Sequence, residues 1–239
     1  MRYLSIAALS LLLLSACTDR QAQQQAQRAA EARRQEQAAS ELAQRYDQAI
    51  QAHDWDRARS FGADLLQSYP GTEAARRAAP GYAEVKAQGE HARELRRLQA
   101  LWQYNQVSVN GGIQRSAMID AKQPVDVDGS GAKRVQLVFR DHPQWKRHAY
   151  LVLQAGDFDC YRGCKVRVSI DGGASKALSA HRPDTDEAIA MFIDNDRALW
   201  KLARQAKRLE ITFPVKAGGT RTAVFETAGV DATQMPGWN

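Results

Sequence analysis

Two cysteines with three residues between them, in Cys160-Tyr161-Arg162-Gly163-Cys164, are the closest pair of thiols in the sequence. Across so short a turn the sulfurs can bond each other or offer two soft ligands to a metal. A zinc site wants four ligands at a recognisable spacing. His142, His148 and His181 supply no His-x3-His, and there is no second Cys pair. The spacing therefore favours a disulfide, whose closure should contribute on the order of 2 kcal/mol in the chain-entropy model, and no metal or other cofactor is expected. Acid-base chemistry would need paired carboxylates, and Asp157 with Asp159, or Asp184 with Asp186 and Glu187, are the candidates. Both sets fall in turn-like segments, where acidic side chains serve solubility. Ser116, Ser169, Ser175 and Ser179 stand outside any Gly-x-Ser-x-Gly. Asp126-Val127-Asp128-Gly129-Ser130-Gly131 opens like a calcium loop, but its twelfth place is Leu137 where a bidentate Glu belongs, so it reads as a turn. Among the aromatic residues, Trp102, Tyr104, Trp145 and Tyr150 could form a recognition patch, since Trp and Tyr dominate interface hot spots. Trp102 and Tyr104 fall where the texture of the chain changes, so the alternative is that they seal a helical part onto a β part.

The elements that must position these residues begin with an apolar leader. Arg2 and Tyr3 precede the run Leu4 to Leu14, and Ser15, Ala16 and Cys17 come directly after it. A basic start, a short apolar core and small residues at its end mark a secretory signal peptide, and the core is too short to span a bilayer. Leu14-Ser15-Ala16-Cys17 resembles the lipobox of bacterial lipoproteins. That resemblance implies removal of residues 1–16, diacylglycerol on the Cys17 sulfur and a further acyl chain, such as palmitate, on the new amino terminus. Several buried chains, at about 0.8 kcal/mol per CH₂, hold where one would not. It also implies the outer membrane, with the rest of the chain facing the periplasm. Thr18, not Asp, comes after Cys17. An ordinary secreted protein cut near Ala16 is the alternative. Once Cys17 is lipidated, Cys160 and Cys164 are the remaining even pair in an oxidising compartment.

Residues 17–40 are mostly Gln, Ala, Arg and Glu, good helix formers without a core-facing stripe, and read as a polar, partly helical spacer. A helical unit over 41–104 comes next. Leu42, Tyr46, Ala49, Ile50 and His53 share one helical face. Asp54 can cap a second helix bearing Ala58, Phe61, Gly62, Leu65, Leu66 and Tyr69, and Thr72 caps the next segment. Pro80-Gly81 should interrupt it, leaving a last helix from Tyr82 to about Tyr104. Between Tyr46 and Ala75 the small residues, the acidic turn Asp54-Trp55-Asp56 and the exit Tyr69-Pro70 resemble one tetratricopeptide-type helix pair.

From 105 to 239, glycine-rich turns separate short runs of period two. Val135, Leu137 and Phe139 alternate with polar residues, as do Val166, Val168 and Ile170, and Leu209, Ile211 and Phe213. Further strand candidates are 105–109, 115–120, 149–154, 188–193 and 221–228, and one helix should interrupt at Asp196–Ala206. This describes a β-sandwich or a partly closed barrel. Its Cys160 to Cys164 turn, succeeded by an alternating strand and an Asp-Gly turn, resembles the uncharacterised sandwich domains of many bacterial lipoproteins.

The net charge is +6, but residues 18–104 hold 13 basic and 12 acidic side chains and residues 105–239 hold 19 and 15. No block of one sign marks a nucleic-acid face. The expected protein is therefore α+β: an N-terminal helical stalk and a small helical hairpin unit, then an antiparallel β-sandwich. Its expected role is non-enzymatic: an interaction or scaffold lipoprotein held to the membrane by acyl chains on Cys17, with an envelope protein as partner. The alternatives are an inhibitor or immunity-type lipoprotein against a cell-wall hydrolase, and an envelope hydrolase using the loop carboxylates.

Overall fold

The computed structural model describes residues 4–184 and 189–238, with side chains from Arg20 onward. The chain divides into two compact units, residues 1–93 and 94–239.

The first unit is helical. Helix α1 (Leu4–Gln51) runs unbroken through the stretch expected to be a partly helical spacer. The reason is local: from Asp19 to Gln51 there is neither glycine nor proline, and the Ala, Gln, Glu and Arg content favours helix at nearly every position. Residues 20–35 are exposed all round, and packing starts where Ala39, Ala43, Tyr46 and Ala49 turn a stripe inward. Helix α2 (Trp55–Ser68) begins at the expected cap, the Asp54 carboxylate accepting from Arg57 N at 3.2 Å, and buries Ala58, Gly62 and Leu65. Gly62 lies so close to Tyr46 and Tyr82 that a Cβ there would meet their rings at 2.6–2.8 Å. Helix α3 (Glu73–Gln99) has Thr72 at its start, whose hydroxyl accepts from Ala75 N at 3.2 Å. The Glu36 carboxylate of α1 also reaches over to Glu73 N and Ala74 N. The first compact unit, residues 1–93, holds α1, α2 and most of α3.

Two further expectations about α3 are corrected. Pro80 does not break it: a proline inside a helix costs roughly 3 kcal/mol, and the burial of Ala74, Ala75, Ala78 and Val85 around it offsets that penalty. Nor does the helix reach Tyr104. Trp102 and Tyr104 lie in strand β1 (Trp102–Val109), where aromatic and β-branched side chains suit a pleated surface better than a helix.

The second unit is antiparallel β. After β1 come β2 (Gly112–Asp120), β3 (Val135–His142), β4 (Lys146–Leu153), β5 (Cys164–Ile170), β6 (Lys176–His181), β7 (Ala190–Ile193), helix α4 (Asp196–Gln205), β8 (Leu209–Pro214) and β9 (Thr220–Phe225). All nine strands are hydrogen-bonded into one sheet of order β1-β2-β3-β4-β7-β6-β5-β8-β9. The sheet curls: Lys122 N, just past β2, donates to Val224 O of β9 at 2.7 Å, joining segments from opposite ends of that order. Inward residues of the strands consequently meet in one core, from Trp102 and Ile119 through Leu137 and Ile211 to Phe225. Phe139 stands at its centre with ring centroids 4.9 Å from Trp200, 5.4 Å from Trp238 and 6.3 Å from Trp102. The β1–β2 reversal needs φ of 91° and 140°, which Gly111 and Gly112 adopt without a Cβ penalty. Strand β6 escapes the periodicity because Lys-Ala-Leu-Ser-Ala-His shows no strict alternation; its pairing with β5, Lys165 opposite Ser179, makes it a strand.

One charged cluster makes the stability of this unit depend on pH. Glu226 accepts from Arg97 at 3.0 Å and from Lys122 at 3.3 Å. The Arg97 hydrogen bond, first among the causes, holds its carboxyl below the ordinary value of 4.5. A depressed carboxylate adds stability above its unfolded pKa, and this is lost as pH falls through the native one. Urea midpoints should accordingly be lower for Glu226→Gln than for the parent at neutral pH, and the gap should close as pH falls below the ordinary carboxyl range through the native pKa.

Candidate functional site

The outer face of the sheet collects side chains that the inward core rejects. Alternation on β3 and β4 sends Phe139, Ala149 and Leu151 inward, and Arg140, His148 and Tyr150 outward. Register then sets Arg140 opposite His148, Tyr150 opposite Phe192, and Phe192 opposite His181. The Arg140 guanidinium lies 5.4 Å from the Trp145 ring centre and 5.5 Å from that of Tyr150. Tyr150 packs on Phe192 at 5.2 Å, and His181 stacks on the other side of the row at 5.5 Å from Phe192. Trp145 is 59% exposed, at a turn held by His142, whose Nδ1 accepts from Gln144 N and Trp145 N. The His142 ring also stacks on Trp145 at 4.1 Å. Arg140 Nε is sealed from solvent without a partner. Burial pushes the Tyr150 hydroxyl above its ordinary value, with the Arg140 charge acting the other way. The result is a cation held between aromatic faces, suited to an acidic and apolar counterpart.

The row ends in a cleft of about 820 Å³ beside the Cys160–Cys164 disulfide, which is formed. There His181 Nδ1 lies 2.6 Å from Asp194 Oδ1, Lys165 Nζ donates to Ser179 Oγ at 2.8 Å, and the Tyr161 hydroxyl bonds Asp184. That bond to Asp184 raises the Tyr161 pKa above its usual value. The arrangement offers charge and hydrogen bonds to a ligand.

The residues singled out in the sequence are thus partly gathered and partly dispersed. Trp145 and Tyr150 share the Arg140 guanidinium. Trp102, at 5% exposure, is a core residue and cannot belong to a surface patch. Tyr104 is half-buried, its hydroxyl accepting from Asp231 N at 2.6 Å. Asp157 is turned inward to Arg182 at 2.6 Å and Lys216 at 3.4 Å, while Asp159 is exposed. Asp186, Glu187 and the Cys17 side chain lie outside the described residues. Asp126 and Asp128 accept from backbone N–H groups of their own turn. No group of three metal-ligating side chains occurs among the described residues, and none of their helices is long and apolar enough to cross a membrane. Sequence reasoning misses Arg140 and Phe192. The one signal for Arg140 is its outward place in the alternation, and Phe192 becomes its neighbour through β7, inserted beside β4 from a distant part of the chain. No protein-family model, curated protein or solved structure matches this chain.

Proposed function

We propose that this protein is a lipid-anchored envelope lipoprotein of the outer membrane that holds an acidic, partly apolar protein partner through the outer face centred on Arg140. The anchoring rests on Leu14-Ser15-Ala16-Cys17 closing an apolar leader. A stalk reading is supported by the exposed part of α1: at a rise of about 1.5 Å per residue, Cys17 to Ala39 would span about 33 Å of helix. The close approach of Gly62 to Tyr46 and Tyr82 suits a tetratricopeptide-like pair.

The single observation carrying the interaction role is the Arg140 guanidinium packed over Trp145 and Tyr150 on an open face. Such a centre has no use in the core, which lies on the other side of the sheet. Affinity capture from intact envelopes tests it. Trp145→Ala with Arg140→Ala should weaken the captured complex by about 30-fold, the size of a hot-spot loss of roughly 2 kcal/mol, while leaving thermal unfolding nearly unchanged. Undiminished capture by the double variant would refute the proposed face. An inhibitory role is favoured by one other observation, Tyr161, 55% exposed on the disulfide-closed loop. If the captured partner is a lytic enzyme and Tyr161→Ala releases it, that reading replaces the scaffold.

A further inference from the structure

A second site, separate from the Arg140 face, lies along helix α4. Arg197, Lys201 and Arg204 succeed one another at i, i+4 and i+7, and with Trp200, Gln205 and Trp238 they line a cleft of about 570 Å³. Guanidinium, ammonium and indole groups only donate, so Gln205 brings the sole side-chain acceptor among the described lining residues. Two of these lining residues also carry buried donors with nothing to bond. Trp200 and Trp238 are 2% and 4% exposed, and their Nε1 atoms are sealed from solvent without a hydrogen-bond partner. Their rings lie 5.6 Å apart and pack on Phe139. A donor without an acceptor in a dry site costs the fold stability that an arriving acceptor restores.

We propose that this cleft binds a phosphoryl group, either as a free ion or on a lipid headgroup. Arg197 and Lys201 would meet its charge, and the indole N–H groups of Trp200 and Trp238 would donate to its oxygens. A phosphoryl group fits better than a carboxylate because it carries more charge and presents acceptor oxygens on several sides, matching donors from both the helix face and the cleft floor. Since the two nitrogens are sealed in this structure, occupancy requires the ring edges to turn toward the cleft. That movement is what an experiment can read.

The chain has five tryptophans, hence five indole N–H resonances. The ¹⁵N-labelled full chain is titrated with inorganic phosphate in one arm. A second arm uses soluble dihexanoyl-phosphatidylglycerol below its micelle concentration, and both are held at constant ionic strength. The expected result is a saturable downfield shift of two indole resonances, abolished by Arg197→Gln with Lys201→Gln. Both residues are exposed, so this variant should keep the other three resonances in place. Saturation by phosphate alone supports a free ion or soluble ester as ligand, and saturation by the phospholipid alone supports a headgroup. Shifts in neither arm, or shifts that survive the double substitution, would overturn the proposal.

Discussion

Replacing Asp157 by alanine should lower the stability of the β unit by about 3–5 kcal/mol, the range for breaking a buried ion pair by removing one partner. The side chains of Arg182 and Asp157 are 5% and 9% exposed, and they meet at 2.6 Å. Lys216, 65% exposed, reaches the same carboxylate from outside at 3.4 Å and retains its hydration. Loss of Asp157 therefore removes a buried carboxylate from Arg182, while Lys216 keeps its water. Denaturant unfolding of Asp157→Ala should show a midpoint far below the parent. Asp194→Ala, which removes an exposed partner of His181, should change it little. Pairing Asp157→Leu with Arg182→Met should recover much of the loss, because a well-packed apolar pair no longer carries an uncompensated charge. If Asp157→Ala unfolds at the parent midpoint, its structural assignment fails.

Phe139→Ala is expected to cost a similar amount, about 3–5 kcal/mol. Phe139 is fully buried and faces Trp102, Trp200 and Trp238, which come from β1, α4 and the turn at Pro236–Trp238. Removing its ring leaves a cavity among three large indoles that cannot collapse without moving a strand or a helix. Against a total stability of roughly 5–15 kcal/mol for a domain, the variant should be close to unfolding at physiological temperature. Its near-ultraviolet circular dichroism should lose intensity well before the far-ultraviolet signal. Phe139→Leu, which keeps most of the volume, should be much milder.

The local chemistry of the chain is legible in its sequence, and its long-range placement is not. Asp54 and Thr72 cap helices as their residue types dictate, and Val135, Leu137 and Phe139 point inward as alternation requires. The Cys160–Cys164 bond accords with the spacing and with the lack of a second Cys pair or a His-x3-His in the sequence. Pro80 misleads because its local penalty is overridden by tertiary packing of Ala74, Ala75, Ala78 and Val85. Trp102 fits a helix on sequence alone because an i, i+4 stripe and the start of a buried strand look alike over a few residues. At the surface site, Trp145 and Tyr150 are visible as residue types. Their joint hold on Arg140 depends on β3–β4 register, and the approach of Phe192 and His181 depends on β7 lying beside β4 and β6 beside β7. No periodicity encodes that order.

The proposed envelope role depends above all on Cys17 becoming the acylated amino terminus. Mass spectrometry of the amino-terminal peptide from protein purified out of the envelope measures this directly. The predicted peptide begins at Cys17, carries a diacylglyceryl group and an additional acyl chain, and disappears in Cys17→Ser cells, where the chain leaves the membrane fraction. An unmodified Cys17 still preceded by Leu14, Ser15 and Ala16 would contradict that role.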